Sequence, residues 1–151
     1  MDFSLEVETS MMPQQIAELI LGIKGFQKDS NDNRYFWAEG LSGGVRLLDN
    51  ISQEILREEV GIFANVRVWY RLDHSEYEKG MRNGLRAFTK VLQQTDKDAV
   101  VRLNGDDIKL LRKDGKLTLN SASFSDENDA VWRYMDIPFS DYEVKNLEIG
   151  M

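Results

Sequence analysis

The side chains able to do chemistry in this 151-residue chain are few, and their spacing argues against most reactions. The absence of cysteine excludes disulfide scaffolds, Cys-ligated zinc, iron–sulfur clusters and thiol nucleophiles together. The single histidine, His74, excludes a multi-histidine metal site and is the only imidazole through which a Ser-His-Asp triad could run. A general base needs an orienting group, and Asp73 and Glu78 are merely its sequence neighbours, so His74 reads as a polar residue at a helix start. No serine lies in a G-x-S-x-G elbow. Gly40-Leu41-Ser42-Gly43-Gly44 lacks the Lys-Ser/Thr of a phosphate loop and does not fit G-x-G-x-x-G; it reads as a turn between strands. Asp96-x-Asp98 and Asp106-Asp107 supply too few close oxygen ligands for a hard cation and read as turn residues. No catalytic residue, metal or cofactor is assigned on these grounds; composition rules out much chemistry and selects none.

The elements that would position any site follow from periodicity. Phe3, Leu5 and Val7 alternate with polar residues, as in a half-buried strand. Thr9-Ser10 is a helix N-cap signal, Ile16, Leu19, Ile20 and Ile23 form one helical face, and Gly25 is a plausible stop. Residues 34–38 and 45–48 read as strands, and Ser52 to Val60 as a short helix with Ile55, Leu56 and Val60 inward, ended by Gly61. Val66, Val68, Tyr70 and Leu72 mark a strong strand. A capping box at Ser75 and Glu78 then opens a long helix whose core face carries Tyr77, Met81, Leu85, Phe88 and Leu92. Asn104-Gly105 and Asp114-Gly115 punctuate three antiparallel strands between residues 99 and 121. A polar loop follows at 123–129, and the apolar residues of 130–151 argue that this last stretch packs, with Pro138 ending an extended segment. The expectation is a single α+β domain over residues 1–151, mainly an antiparallel sheet of about seven strands. Its two long helices pack on one face.

The N-terminal MDFSLEVETS lacks the basic start and apolar run of a secretory peptide, and no stretch approaches the ~20 apolar residues of a membrane span. A cytoplasmic protein with no membrane partner is expected. The net charge of −7 divides unevenly: −6 over residues 1–65, +4 over 66–121 and −5 over 122–151. The basic middle includes Lys79, Arg82, Arg86 and Lys90 on one helix, a stripe able to track phosphates. A Lys/Arg row opposite an apolar helix face is more often a solvated surface, and the acidic outer thirds favour a protein partner over nucleic acid.

Val68-Trp69-Tyr70-Arg71-Leu72-Asp73, the helix with Gly80-Met81 and Leu85, and Asp98-Ala99-Val100 carry a further signal. Together with Leu103-Asn104-Gly105-Asp106, Leu110-Leu111 and Gly115-Lys116-Leu117-Thr118-Leu119-Asn120, they resemble the swarm-inhibition-toxin immunity proteins of contact-dependent polymorphic toxin systems. Two positions depart from the pattern: Lys97-Asp98-Ala99 replaces a Gly-Asp-Ala, and His74 stands where lysine is frequent. The resemblance implies a non-enzymatic protein that binds and blocks a cognate toxin C-terminal domain in the cytoplasm. For a cationic nuclease toxin, acidic side chains would take the place of substrate phosphates. Charge and aromatic content then nominate Asp126, Glu127 and Asp129, with Trp132 and Tyr134 as anchors, for the partner-binding surface. The competing readings are a nucleic-acid-binding module using the basic helix stripe and a small enzyme built around His74.

Overall fold

A computed structural model describes residues 2–124, 132 and 137–150. Among the described residues nine strands form one sheet: β1 (Asp2–Val7), β2 (Gln27–Lys28), β3 (Tyr35–Ala38), β4 (Leu41–Leu47), β5 (Val66–Leu72), β6 (Ala99–Leu103), β7 (Asp107–Lys113), β8 (Lys116–Asn120) and β9 (Glu143–Lys145). Three α-helices accompany them: α1 (Pro13–Leu21), α2 (Asn50–Val60) and α3 (Tyr77–Gln93). The strand order is β2-β3-β4-β5-β1-β6-β7-β8-β9, antiparallel throughout except for the β8–β9 pair. The two edge strands have only two and three residues, which limits the unpaired backbone offered to other chains. Among the described residues no helix is long and apolar enough to cross a membrane.

The first strand of the chain is therefore the central strand of the sheet, bonded to β5 on one side and β6 on the other. Alternation sends Phe3, Leu5 and Val7, Val66, Val68, Tyr70 and Leu72, and Ala99, Val101 and Leu103 to one face. There α1 and α3 cover them with Ile16, Ala17, Ile20, Met81, Leu85, Phe88 and Leu92, all buried. Burying each of the larger of these side chains contributes roughly 1.5–3 kcal/mol relative to leaving it in water. Gly84 of α3 rests on the Tyr70 ring, where an added Cβ would collide with it, so the helix accepts a residue of poor propensity in exchange for close approach. A smaller cluster lies apart from this core: Leu56 of α2 with Leu48, Ile62, Ala64, Val100, Ile108 and Leu147.

Several local expectations are corrected. Residues 41–44 continue β4 instead of forming a turn, since their backbone pairs fully with β3 and β5; the reversal occurs at Gly40. The long helix is not opened by a Ser75–Glu78 box. Asp73 Oδ1 accepts hydrogen bonds from the Ser75 amide at 3.0 Å and its hydroxyl at 2.8 Å, and caps a single 3-10 turn that runs into α3. Helix α1 begins after Met12, whose amide donates to Gln15 Oε1, while Thr9 Oγ1 accepts from the Met11 amide in the preceding turn. It ends at Leu21, with Gly22 rather than Gly25 at its C-terminus. Helix α2 is capped by Asp49, which accepts from the Ser52 amide at 2.7 Å, and ends at the left-handed Gly61 as expected. Of its apolar residues only Leu56 is fully buried; Ile51 and Ile55 face solvent. The Asn104-Gly105 and Asp114-Gly115 reversals have positive φ at both residues, as the hairpin reading requires.

Two side chains fasten the end of α3 and the C-terminal segment to the sheet. Arg112 of β7 donates to the carbonyls of Leu92 at 2.8 Å and Thr95 at 3.0 Å, satisfying the end of α3; burial among these groups lowers its pKa. The buried Asn120 amide donates to Ile108 O at 2.6 Å and Leu147 O at 3.0 Å, fastening the C-terminal segment to β7. Asn120→Ala leaves both carbonyls without this donor. We expect it to lower unfolding free energy by about 1–3 kcal/mol, read as a reduced urea midpoint at constant m-value. An unchanged midpoint would remove Asn120 from this role.

Candidate partner-binding face

The alternation that fills the helix-covered core leaves the other side of β3, β4, β5 and β1 open, and the register aligns it in three rows. Trp37 lies opposite Ser42, Ser42 opposite Arg71, and Arg71 opposite Asp2. In the next row Tyr35, Gly44, Trp69, Ser4 and Arg102 follow one another across five strands. The third row is Arg46, Arg67, Glu6 and Val100. Gly44 is small for a reason visible here: a Cβ would stand 2.9 Å from Tyr35 Cδ1 and 3.2 Å from Trp69 Cζ2, so the two aromatic rings close over bare backbone. Tyr35 and Trp37 are 41% and 43% exposed, an unusual cost for rings of this size unless something covers them.

Glu6 organises the charges. Its carboxylate is fully buried, yet on the side of the sheet away from α1 and α3, where α2 lies. Arg67 Nε donates to Oε2 at 3.0 Å, Arg102 Nε donates to Oε1 at 2.9 Å, and Arg102 Nη2 forms an ion pair with Oε1 at 2.9 Å. Arg102 also donates through Nη1 to Gly105 O at 2.9 Å and pairs with Glu59 of α2 at 3.3 Å. A buried charge with several charge-assisted bonds is held in one rotamer, so both guanidinium groups are fixed before any partner arrives. At the other end of the face Arg71 and Asp2 form an exposed pair at 2.9 Å. The hydrogen bond from Arg71 outweighs slight desolvation and holds the Asp2 carboxyl below its usual pKa. Such an exposed pair contributes little stability.

Together these residues line an open hollow of about 540 Å³ that includes Arg46, Arg67, Arg71, Arg102 and Trp69, with Asp2 as its one carboxylate. Arg46 is exposed and makes no hydrogen bond or ion pair among the described residues. The arrangement suits recognition of negative charge beside an aromatic platform. Among the described residues its lining holds no histidine or cysteine, and no group of three His, Cys, Asp or Glu is placed to hold a metal ion.

Of the partner-surface residues nominated from sequence, Trp132 alone is among the described residues. Asp126, Glu127, Asp129 and Tyr134 lie outside the described residues. Trp132 is half-buried, packs on the helix-covered core and meets Phe139 edge-to-face at 6.1 Å. His74 is exposed at the first residue of the 3-10 turn. In the basic stripe Lys79 pairs with Glu39 at 3.1 Å, and Arg86 donates to Asn83 Oδ1 and to Lys24 O. Asp98 accepts from the Asp114 amide and Asp107 pairs with Lys109, so these acids serve turn and strand ends. What the sequence reading passed over is the polar side of β5. Arg67, Trp69 and Arg71 were visible as the alternate residues of a strand, and two arginines flanking a tryptophan are a costly choice for a merely solvated face.

The central role of Glu6 is testable by stability. Glu6→Gln removes the charge that the buried Arg102 and half-buried Arg67 share. Its unfolding free energy should fall by about 3 kcal/mol, because the guanidinium groups lose their counter-charge in a dry site. Equal urea midpoints for the variant and the unaltered protein would contradict this account.

The fold and this face can be set beside known proteins. No curated protein and no solved structure matches the chain. A family model described as SitI3-like matches residues 1–128, which contain all three helices, strands β1–β8 and every residue of the open face. That span covers most of the 151 residues and extends well beyond the strand, helix and hairpin segments that carried the resemblance in sequence. The chain belongs to the SitI3-like family, a family of swarm-inhibition-toxin immunity proteins.

Proposed function

We propose that this chain is an immunity protein that binds a cognate polymorphic toxin domain in the cytoplasm, one to one, and blocks it without catalysis. The observation that carries the reading is the family match over residues 1–128, which takes in nearly the whole sheet. The physical organisation is consistent with it: neutralisation by binding requires a stable scaffold and a pre-formed complementary surface, not a reactive group. A central strand bonded on both sides supports the first, and the pre-positioned arginines and aromatic rings of the open side support the second.

Two groups of residues of opposite sign suit such a partner, one known from sequence alone and one from the sheet. The acidic run Asp126, Glu127 and Asp129 suits a cationic toxin such as a nuclease; the arginines of the sheet suit an acidic one. The nucleic-acid reading is weakened by the engagement of Lys79 with Glu39 and of Arg86 with a neighbouring carbonyl, which leaves a poorer phosphate track. An enzyme centred on His74 is disfavoured by that residue's open position, away from the hollow that the arginines line.

Co-expression tests the proposal. The toxin-bearing C-terminal domain encoded by the neighbouring reading frame is expressed in the bacterial cytoplasm with and without this chain. Growth should be restored by the chain, and a one-to-one complex should co-purify. Cells dying equally fast in both cases would end the immunity reading. His74→Ala should protect as well as the unaltered chain; loss of protection by a folded His74→Ala protein would favour the enzymatic alternative.

A further inference from the structure

We infer that the arginine–tryptophan side of the sheet is the toxin-docking surface, and that its occupant is a carboxylate-bearing segment of the partner protein. This rests on the immunity reading and goes beyond it by naming the surface and the chemistry it receives.

Charge is the first argument. The chain carries −7, yet the hollow over β5, β1 and β6 is lined by four arginines and one carboxylate. Glu6 beneath the surface offsets part of that charge and leaves an excess of cation over acid on this side. An arginine cluster on an otherwise acidic protein attracts a complementary patch and discourages non-specific contact elsewhere, which is how electrostatics contributes specificity and association rate.

Donor geometry is the second. Arg67 is clamped to Glu6 through Nε, and among the described residues its two terminal nitrogens donate to nothing. Arg46 is unengaged in the same sense, and Arg71 is 70% exposed while touching Asp2. Three guanidinium groups therefore present donors outward from adjacent strands that are each paired on both sides. Planar paired donors of this kind match carboxylates. Trp69 lies between them, with Tyr35 and Trp37 on the flanking strand as exposed rings. Arginine, tryptophan and tyrosine are the residues that dominate binding energy at protein interfaces. Because strands β4, β5 and β1 are paired on both sides, little ordering entropy is lost when a partner docks.

Carboxylates fit better than phosphates. Asp2 already occupies Arg71 in the pairing that a partner's acid would make, and Asp49 lies close enough to feel Arg46 and Arg67. With Glu6 and Glu59 these acids would repel a continuous phosphate backbone, whereas discrete carboxylates can settle between them. The occupant is therefore a protein segment and not a nucleic acid strand.

Charge reversal at two exposed positions tests the inference with little risk to folding. Arg46→Glu/Arg71→Glu, Trp69→Ala and the unaltered chain are purified, checked for equal urea midpoints, and titrated with the toxin domain encoded by the neighbouring reading frame. The double reversal should weaken binding by about a hundredfold, chiefly through slower association, and abolish protection in co-expression. Trp69→Ala should weaken binding by about tenfold or more through faster dissociation. Lysine substitution of the contacting toxin carboxylates should restore binding to the double reversal. Binding within about threefold of the unaltered chain by both variants overturns the inference while leaving the immunity reading intact. So does loss of binding confined to an Asp126→Lys/Glu127→Lys/Asp129→Lys variant, which would transfer docking to the acidic run. Arginine-dependent binding of oligothymidylate with no toxin binding overturns it in favour of nucleic acid. If the unaltered chain neither binds nor protects, both readings fall.

Discussion

A carboxylate buried between two arginines in the middle of a sheet is the constraint on which the rest of this molecule depends. Glu6 belongs to the central strand and meets Arg67 from one neighbouring strand and Arg102 from the other. A charge in that position is tolerated only if its partners are in place, so the pairing of β1 with both β5 and β6 is specified chemically as well as by apolar packing. A one-residue slip of β1 would turn Glu6 into the helix-covered core and expose Leu5 or Val7, a double penalty that favours one register.

The same ion triad couples the scaffold to the outward face. By fixing Arg67 and Arg102 it sets the spacing of the guanidinium groups around Trp69, and through Glu59 it reaches α2. On the opposite side, α1 and α3 bury the apolar residues of the same strands, and Gly84 lets α3 approach Tyr70 closely. The sheet is thus two-sided in function: one side supplies cohesion and the other presents charge and aromatic surface on a backbone that has little freedom to move. The proposed docking role calls for that division, because a surface ordered in advance loses less entropy on binding.

Much of the secondary structure was legible in sequence because its signals are local. The β5 alternation, the core face of α3, the two Asn/Asp-Gly reversals and the Gly61 stop each lie within one element, and each appears where expected. The failures were local competitions decided by a neighbour. Asp73 out-competes Ser75 as a cap because a carboxylate accepts two hydrogen bonds there. Gly43 and Gly44, read as turn residues, are strand residues because adjacent rings and backbone leave no room for a side chain. Ile55 fits an inward helical position by spacing, yet α2 buries little besides Leu56. The arginine face was the larger omission: alternate polar residues in a strand look like solvent contact until the neighbouring strands are known.

Composition and motif spacing by themselves determined the absence of thiol and multi-histidine chemistry, the α+β class and the resemblance to toxin immunity proteins. Each depends on residue identity or on separations of a few residues. Only the tertiary structure decided that the first strand would be the central one, that Glu6 would meet partners 61 and 96 residues away, and that four arginines from three strands would line one hollow. The physical reason is that strand order follows from burial summed over the whole sheet, weighed against the entropy of closing long loops. No short window of the chain contains that sum.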